Sequence, residues 1–93
     1  MWYTIKTTAE FRRQYKLMNK RHLDLELLDA VIEKLANGEK LATKYRDHVL
    51  SGKYKGMHEC HVKPDWLLVY KIENEVLVLT LVSTGTHADL FDL

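Results

Sequence analysis

Four polar residues stand where the strands of a small sheet would bring them together: His48, His61, Asp65 and His87. His61 comes just before a tight turn that contains Asp65, and His87 follows the last strongly apolar segment. Histidine titrates near neutral pH and can donate or accept a proton in a reaction. Such groups beside basic residues suit cleavage of a phosphodiester by its own ribose 2′-hydroxyl, which requires no metal. The pattern predicts an acid–base site.

Two other interpretations of these residues stay open. They could form a His/Asp metal site, although Cys60 and His61 are adjacent and neighbours on a strand point apart. The sequence has neither a paired Cys-x-x-Cys nor a His-Glu-x-x-His motif. The histidines could also be scattered surface residues. We expect no metal and no cofactor.

Length and composition limit the class of protein. The 93 residues predict one domain, 1–93, with a single modest core. The lone cysteine, Cys60, excludes an internal disulfide and fits both a core position and a reducing compartment. No apolar stretch approaches the ~18 residues of a membrane span, and the start lacks the basic and apolar regions of a signal peptide. We therefore expect a cytoplasmic protein that does not enter a membrane.

The net charge of +1 conceals a segregation of charges along the chain. Basic residues dominate 1–21 and 40–63, and acidic residues dominate 22–39 and 64–93. Two basic blocks could flank a polyanion such as a nucleic acid. The alternative is that the blocks are solvated faces of helices and loops.

Periodicity and turn residues predict the order of the elements. We expect a strand at Trp2–Lys6, a helix capped by Thr7 with Glu10 in a capping box, a helix capped by Asp24 and ended by Asn37-Gly38, an ordered loop at 39–56, and strands at Met57–Val62, Trp66–Ile72 and Val76–Val82. This order predicts an α+β fold, β-α-α-β-β-β. An N-terminal strand and a two-helix hairpin precede an antiparallel meander, and the helices pack on one sheet face.

Two tight turns would fix the register of the meander. The turns are Pro64-Asp65 and Asn74-Glu75, and the expected partners are Lys63 with Trp66, His61 with Leu68, Leu68 with Leu81, and Trp66 with Ser83. This register places His61, Asp65 and the Ser83–His87 segment at one end of the sheet. His48 cannot be placed in this way because it lies in the long loop.

Alternation along the first meander strand separates two histidines. His61 shares a face with Glu59 and other polar residues, whereas His58 shares the opposite face with Cys60 and Val62. Only one of the two histidines can join a site on a given face. The face of His58 is typical of a core, so we expect His61 to belong to the site.

Three segments resemble one family of proteins. Glu59–Tyr70 (ECHVKPDWLLVY) resembles the central signature of the YafQ branch of the RelE/ParE toxin superfamily, and so does the ending Leu81–Phe91 (LVSTGTHADLF). The loop Tyr45–Gly56 (YRDHVLSGKYKG) resembles the Asp-His-x-Leu-x-Gly segment of that branch. The three motifs occur in the order that they have in the family.

The resemblance implies a bacterial toxin that cleaves messenger RNA on the ribosome and that a partner antitoxin, typically a ribbon–helix–helix protein, holds inactive. It implies a catalytic set of His48, His61, Asp65 and His87, with Trp66 and Phe91 shaping the substrate pocket. His87 would be the general acid, His48 or His61 the base, and Asp65 would orient a histidine or share in proton transfer. From the sequence pattern alone, Trp66 could equally be a core residue.

One position departs from the family pattern. Many relatives carry arginine where this chain has Ser83, and a guanidinium there could hold the phosphate that is cut. The cationic role would then pass to other basic residues, for which the candidates are Arg46, Lys53, Lys55 and Lys63. Two rival functions stay open: a non-catalytic ParE-like toxin that inhibits a protein target such as DNA gyrase, and a bare interaction module. A pure inhibitor has no use for the histidine set.

Overall fold

A five-stranded sheet in the order β1-β5-β4-β3-β2 organises the molecule. The computed structural model describes residues 2–91, apart from the side chains of Lys53 and Phe91. The elements are β1 (Thr4–Thr7), α1 (Ala9–Lys20), α2 (Leu25–Ala36), β2 (His48–Val49), β3 (His58–Lys63), β4 (Trp66–Glu73), β5 (Val78–Gly85) and α3 (His87–Phe91). The expected α+β class is confirmed. The sheet is mixed rather than purely antiparallel, because β1 adds to β5 in parallel.

Side-chain caps set the beginnings of the first two helices. Thr8, not Thr7, caps α1, since its hydroxyl accepts a hydrogen bond from the backbone N–H of Phe11 at 2.9 Å. Thr7 still belongs to β1, and its hydroxyl accepts from Arg12. The expected cap of α2 is confirmed, because the Asp24 carboxylate accepts from the N–H of Glu26 at 3.1 Å.

The hydrophobic core lies between the helix pair and one face of the sheet, which we call the core face. Its buried members include Phe11 and Met18 of α1, Leu28, Val31 and Leu35 of α2, and Cys60, Leu68, Tyr70, Leu79 and Leu81 of the strands. Cys60 is fully buried, as expected, and burial raises the pKa of its thiol to about 12. The thiol therefore stays protonated, and Cys60 acts as a small core residue.

The opposite face carries the polar residues of β3, and we call it the site face. Leu67 and Val69 of β4 are fully buried there. Pairing sets Val69 between Glu59 and Ser83, and Leu67 between His61 and Gly85. The two apolar side chains therefore form a floor beneath a row of polar groups.

The register of the meander is only partly as expected. Lys63 pairs with Trp66, as predicted, but His61 pairs with Leu67 rather than Leu68, because β3 is irregular between His61 and Lys63. The turn between β4 and β5 uses four residues, 74–77, where two were expected, and a second irregularity follows Val69. The expected pairs of Leu68 with Leu81 and of Trp66 with Ser83 are wrong.

Because this turn is longer than expected, β5 ends later in the sequence than predicted. β5 runs to Gly85 instead of Val82, so Leu68 pairs with Thr84 and Leu67 with Gly85. His87 then begins α3 directly beyond the strand, next to the turn that contains Asp65. With the corrected register, the candidate site residues still lie at one end of the sheet, as expected.

The segment 39–56 is an ordered loop with short elements of its own. It contains 3₁₀ turns at Thr43–Tyr45 and Gly52–Tyr54, and between them the two-residue strand β2 pairs with Glu59 and His58. The sequence did not predict β2. Across residues 2–91, no helix combines the length and the apolar character that crossing a membrane requires.

Candidate active site

His87 and Asp65 form a direct pair at the end of the sheet. His87 Nδ1 lies 2.9 Å from Asp65 Oδ1, and the backbone N–H of His87 donates to the same oxygen at 3.3 Å. These two hydrogen bonds lower the pKa of Asp65 below its ordinary value, so the carboxylate is ionised at neutral pH. An ionised carboxylate only accepts, so Nδ1 of His87 carries the proton and Nε2 is the ring nitrogen on the side away from Asp65.

The short helix α3 holds His87 in place through its own cap. The N–H of Thr86 donates to the Asp89 carboxylate at 3.0 Å, and the N–H of Asp89 donates to the Thr86 hydroxyl at 3.1 Å. This reciprocal pair is a capping box. Arg21, at the end of α1, donates to the same carboxylate at 2.8 Å, and these interactions lower the pKa of Asp89. His87 is thereby tied to both the sheet and α1.

Two further imidazoles converge on Glu59. Glu59 Oε1 lies 3.4 Å from His48 Nε2 and 3.7 Å from His61 Nε2. The other ring nitrogens donate to carbonyl oxygens, His48 Nδ1 to Arg46 at 2.7 Å and His61 Nδ1 to Pro64 at 3.2 Å. The Glu59 side chain is only 7% exposed. A buried carboxylate therefore faces the reactive nitrogens of two rings whose orientations the backbone fixes.

The three rings form a row on the site face. The ring centroids of His48 and His61 are 6.4 Å apart, and those of His61 and His87 are 5.7 Å apart. One phosphodiester group spans such distances, with its attacking and leaving oxygens on opposite sides of phosphorus. The structure thus brings together all four residues that the sequence singled out, His48, His61, Asp65 and His87. Their catalytic roles remain a proposal.

Comparisons with known proteins identify the family. A sequence model of the family described as bacterial toxin of type II toxin-antitoxin system, YafQ, matches residues 3–92. The chain belongs to the YafQ toxin family. The expected resemblance is confirmed.

Individual relatives match over nearly the whole chain. The mRNA interferase toxin YafQ of Escherichia coli K12 is 39% identical over 88 residues, 94% of either chain. The DinJ-YafQ complex of E. coli matches with a TM-score of 0.88 and 38% identity, over 96% of this chain and 98% of that one. A metal-bound toxin from Helicobacter pylori matches with a TM-score of 0.89 and 45% identity, over 96% and 99%. The histidine row therefore lies in a fold already known from YafQ toxins.

Glu59 is the site residue that the sequence analysis missed. Alternation had placed it on the face of His61, but a glutamate on a strand is usually a solvated surface residue. The sequence feature that could have identified Glu59 is its position two residues before His61, which places both side chains on one face of the strand. The pairing of β2 with β3 sets His48 opposite Glu59. Only this pairing makes the carboxylate a shared partner of His48 and His61.

Trp66 lies in the core, on the opposite side of β4 from the candidate site. Its ring is 3% exposed, and its indole N–H donates to the Thr84 hydroxyl at 3.0 Å. The hydroxyl in turn donates to the carbonyl of Leu67 at 2.8 Å. A buried ring offers no face on which a base could stack, so we expect Trp66 to hold the end of β5 in place beneath the site. The side chain of Phe91, also expected in the pocket, lies outside the described residues.

The basic candidates are distributed around the row of rings. Arg46 and Lys63 are exposed and line one cleft with His61. Lys55 is exposed in the loop after the second 3₁₀ turn, and the Lys53 side chain lies outside the described residues. Ser83 is buried on the site face and paired with Val69. Of the described candidates, Arg46 and Lys63 are the two that share a cleft with His61.

A second polar cluster anchors the loop that carries His48. The Tyr70 hydroxyl donates to the Asp47 carboxylate at 2.6 Å. The His58 ring stacks on Tyr70 with centroids 5.1 Å apart, and its Nδ1 lies 3.8 Å from the same carboxylate. Burial, then the bond to Asp47, raises the pKa of Tyr70, so the phenol stays a donor. Asp47 directly precedes His48, so the cluster fixes the loop to the core.

Replacing Tyr70 by phenylalanine should loosen this loop. The change leaves the Asp47 carboxylate without a buried donor, so we expect a loss of about 1–3 kcal/mol in the free energy of unfolding and slower catalysis. Denaturant unfolding measures the first effect and single-turnover kinetics the second. Tyr15→Phe is the matched control, since Tyr15 also donates to a carboxylate, Asp29, at an exposed site, where a loss below about 1 kcal/mol is expected. Equal losses in the two variants would refute the anchor.

Proposed function

We propose that this toxin is an endoribonuclease that cleaves messenger RNA on the ribosome by metal-independent acid–base catalysis. The observation that carries the proposal is the row of three imidazoles with Glu59 and Asp65 on one face of the sheet. A binding module needs no such set of proton donors and acceptors. The E. coli relative is named an mRNA interferase, which favours the nuclease over a ParE-like inhibitor of DNA gyrase.

The proposed reaction is an attack by the ribose 2′-hydroxyl on the adjacent phosphorus. His48 or His61 takes the proton of the 2′-hydroxyl as its oxygen bonds to phosphorus. The bond to the 5′-oxygen breaks, and His87 Nε2 gives that oxygen a proton. The products are a 2′,3′-cyclic phosphate and a 5′-hydroxyl. Each proton transfer contributes about 10²–10⁴-fold to the rate.

The carboxylates assist these steps without entering them. Asp65 accepts from His87 Nδ1 and so orients the ring with Nε2 on the side away from the carboxylate. Glu59 serves the His48–His61 pair in the same way once either ring has gained a proton. Arg46 and Lys63, beside His61, supply positive charge that stabilises the extra negative charge on the phosphate in the transition state.

A protein with this activity needs partners of two kinds. The ribosome would present the messenger RNA, which places the toxin in the cytoplasm. An antitoxin would keep it inactive, as the DinJ-YafQ complex of E. coli suggests for this family, and we propose a ribbon–helix–helix protein for that role. Exposed basic residues in 40–63 could bind either RNA or an acidic partner segment.

A metal would interfere with this chemistry rather than support it. Glu59, His61 and His87 present ligand atoms that all lie within 4.8 Å of one another, and imidazoles with a carboxylate suit Zn²⁺ or Cu²⁺. The metal-bound toxin from H. pylori is a relative of this chain. A bound cation would occupy the nitrogen lone pairs that proton transfer requires.

We therefore expect saturating Zn²⁺ to inhibit cleavage about tenfold or more, whereas a chelator selective for transition metals, which leaves the Mg²⁺ of the ribosome in place, leaves the rate unchanged. Mg²⁺ is the control, because it prefers oxygen ligands and should not inhibit through the histidines. Calorimetric titration of Zn²⁺ paired with cleavage kinetics tests both statements. Loss of cleavage in this chelator would contradict the metal-independent mechanism.

The test of the proposed function is to map RNA ends after induced expression of the toxin. Cleavage on the ribosome predicts new ends in translated regions, at a fixed position within codons, and none in untranslated regions. Co-expression of the antitoxin should remove them. Growth arrest with intact messenger RNA and altered DNA supercoiling would favour the gyrase inhibitor instead.

A further inference from the structure

A cleft beside the histidine row shares Arg46, His61 and Lys63 with the proposed site, but the proposed reaction leaves its interior unused. It has a volume of about 420 Å³, within the range of small-ligand sites. It lies between α2 and the end of β3, and His61 is one of its lining residues. Anything that fills the cleft therefore touches the catalytic set.

We propose that this cleft is a subsite for one nucleobase of the RNA, next to the phosphate that is cut. The inference rests on the proposed RNA cleavage and adds to it the position of a neighbouring nucleotide. His61 lines the cleft at a part of β3 whose outer edge no other strand within residues 2–91 covers, so a nucleotide attached to the scissile phosphate would reach the cleft around this edge of the sheet.

The walls of the cleft suit a flat, apolar ring. Leu27 and Ala30 of α2 and Val62 of β3 form apolar sides, and Tyr45 adds an aromatic one. Leu27 is 38% exposed, although it is a large apolar side chain. Covering such surface with a base removes it from water, and stacking against aromatic walls is how proteins bind bases of single-stranded RNA.

The rim of the cleft suits the sugar–phosphate chain. Lys44, Arg46 and Lys63 line it, and of the lining residues described none is acidic. The Lys44 ammonium lies 5.1 Å from the centroid of the Tyr45 ring. Cations around an apolar chamber match a base that enters with its phosphates outside.

The edge of β3 adds hydrogen-bonding groups. β2 pairs only with His58 and Glu59, and within residues 2–91 no other strand covers the outer edge of β3 beyond them. Unpaired N–H and C=O groups on such an edge can bond to polar atoms of a ligand. The cleft thus combines apolar walls, cations and backbone groups, which together recognise a nucleotide.

The experiment combines two changes: a substitution in the protein that fills the cleft, and an RNA that lacks one base. Ala30→Trp places a large ring at an exposed position of α2 that lines the cleft, and Ala9→Trp makes the same change at an exposed position of α1 that does not. Ribosomes carry either a normal short messenger RNA or versions with an abasic nucleotide on one side of the cut. Cleavage rates are measured for every combination.

We expect the wild type to cut one of the abasic RNAs about tenfold more slowly than the normal RNA, a loss typical of one unstacked base. Ala30→Trp should cut the normal RNA about tenfold more slowly and no longer distinguish the abasic one. Ala9→Trp should behave as the wild type does. Ala30→Met, a smaller change to a good helix former, serves if the tryptophan variant does not fold.

Other outcomes overturn the subsite. Full discrimination against the abasic RNA by folded Ala30→Trp or Ala30→Met would mean that no base occupies the cleft. Normal cleavage together with lost inhibition by the antitoxin would assign the cleft to the protein partner. If the wild type cuts no RNA at all, the proposed function fails. If it cuts normal and abasic RNAs alike, only the subsite fails.

Discussion

The His87→Ala variant will cleave RNA about 10²–10⁴-fold more slowly than the wild type and will fold as well as it does. The loss is that of the proton donor to the leaving oxygen. Alanine keeps the backbone N–H that donates to Asp65 and the helical start of α3, so structure and RNA binding should persist. Single-turnover cleavage on programmed ribosomes measures the rate, and thermal unfolding measures the fold.

His22→Asn is the control for this variant. His22 is exposed in the connection between α1 and α2, and its backbone has a positive φ of 62°, which asparagine tolerates. We expect the wild-type rate from it. Growth arrest by His87→Ala equal to that of the wild type would remove His87 from the chemistry, whatever the geometry of its pair with Asp65.

We expect the second large effect from Glu59→Gln, which should lower kcat about 10²-fold and change KM little. Glutamine keeps the shape of the side chain but removes the charge that faces His48 Nε2 at 3.4 Å and His61 Nε2 at 3.7 Å. A ring that gains a proton during the reaction then lacks its partner. Catalysis should fall, although by less than the roughly 10⁴-fold lost when the carboxylate of a serine-protease triad is neutralised.

Stability distinguishes this role from a structural one. Removing a buried charge should leave the free energy of unfolding unchanged or raise it, so activity and stability move independently in Glu59→Gln. Glu59→Asp keeps the charge and should retain more activity than the glutamine variant. A glutamine variant that cleaves at the wild-type rate would show that Glu59 serves the sheet and not the reaction.

Local sequence signals predicted much of the fold. Asp24, placed before an apolar stripe, gave the start of α2, and alternation along β3 separated His61 from His58 correctly. These features depend on residues close in sequence, where capping and periodicity act directly. The order of these elements then gave the α+β fold class.

The errors lie where long-range packing overrides local signals. Nothing near Asn74 shows that the turn extends to Leu77, which adopts a positive φ of 51° without being glycine. The irregularity after Val69 shifts the pairing again, and together they moved Ser83 away from its expected partner. A register error of this kind changes which residues face each other, although it keeps them at the same end of the sheet.

The sequence grouped four residues that the structure also brings together, but it did not give their geometry. His48 could not be placed from the sequence, because its position depends on the Asp47–Tyr70 bond, which joins residues 23 apart. The role of Glu59 depends on the same anchored loop. Trp66 was expected at the pocket, but the register sets it against Thr84 in the core. Long-range contacts decided each of these positions.

The chemical nature of the RNA ends tests the central claim most directly. The toxin is incubated with programmed ribosomes and a chelator selective for transition metals, which spares the Mg²⁺ of the ribosome, and the fragments are analysed by mass spectrometry. Proton transfer by the three imidazoles to and from ribose and phosphate oxygens predicts a 2′,3′-cyclic phosphate and a 5′-hydroxyl, and no cleavage where the nucleotide before the cut carries a 2′-deoxyribose. Fragments with a 3′-hydroxyl and a 5′-phosphate, or undiminished cleavage of the deoxy substrate, would contradict the account.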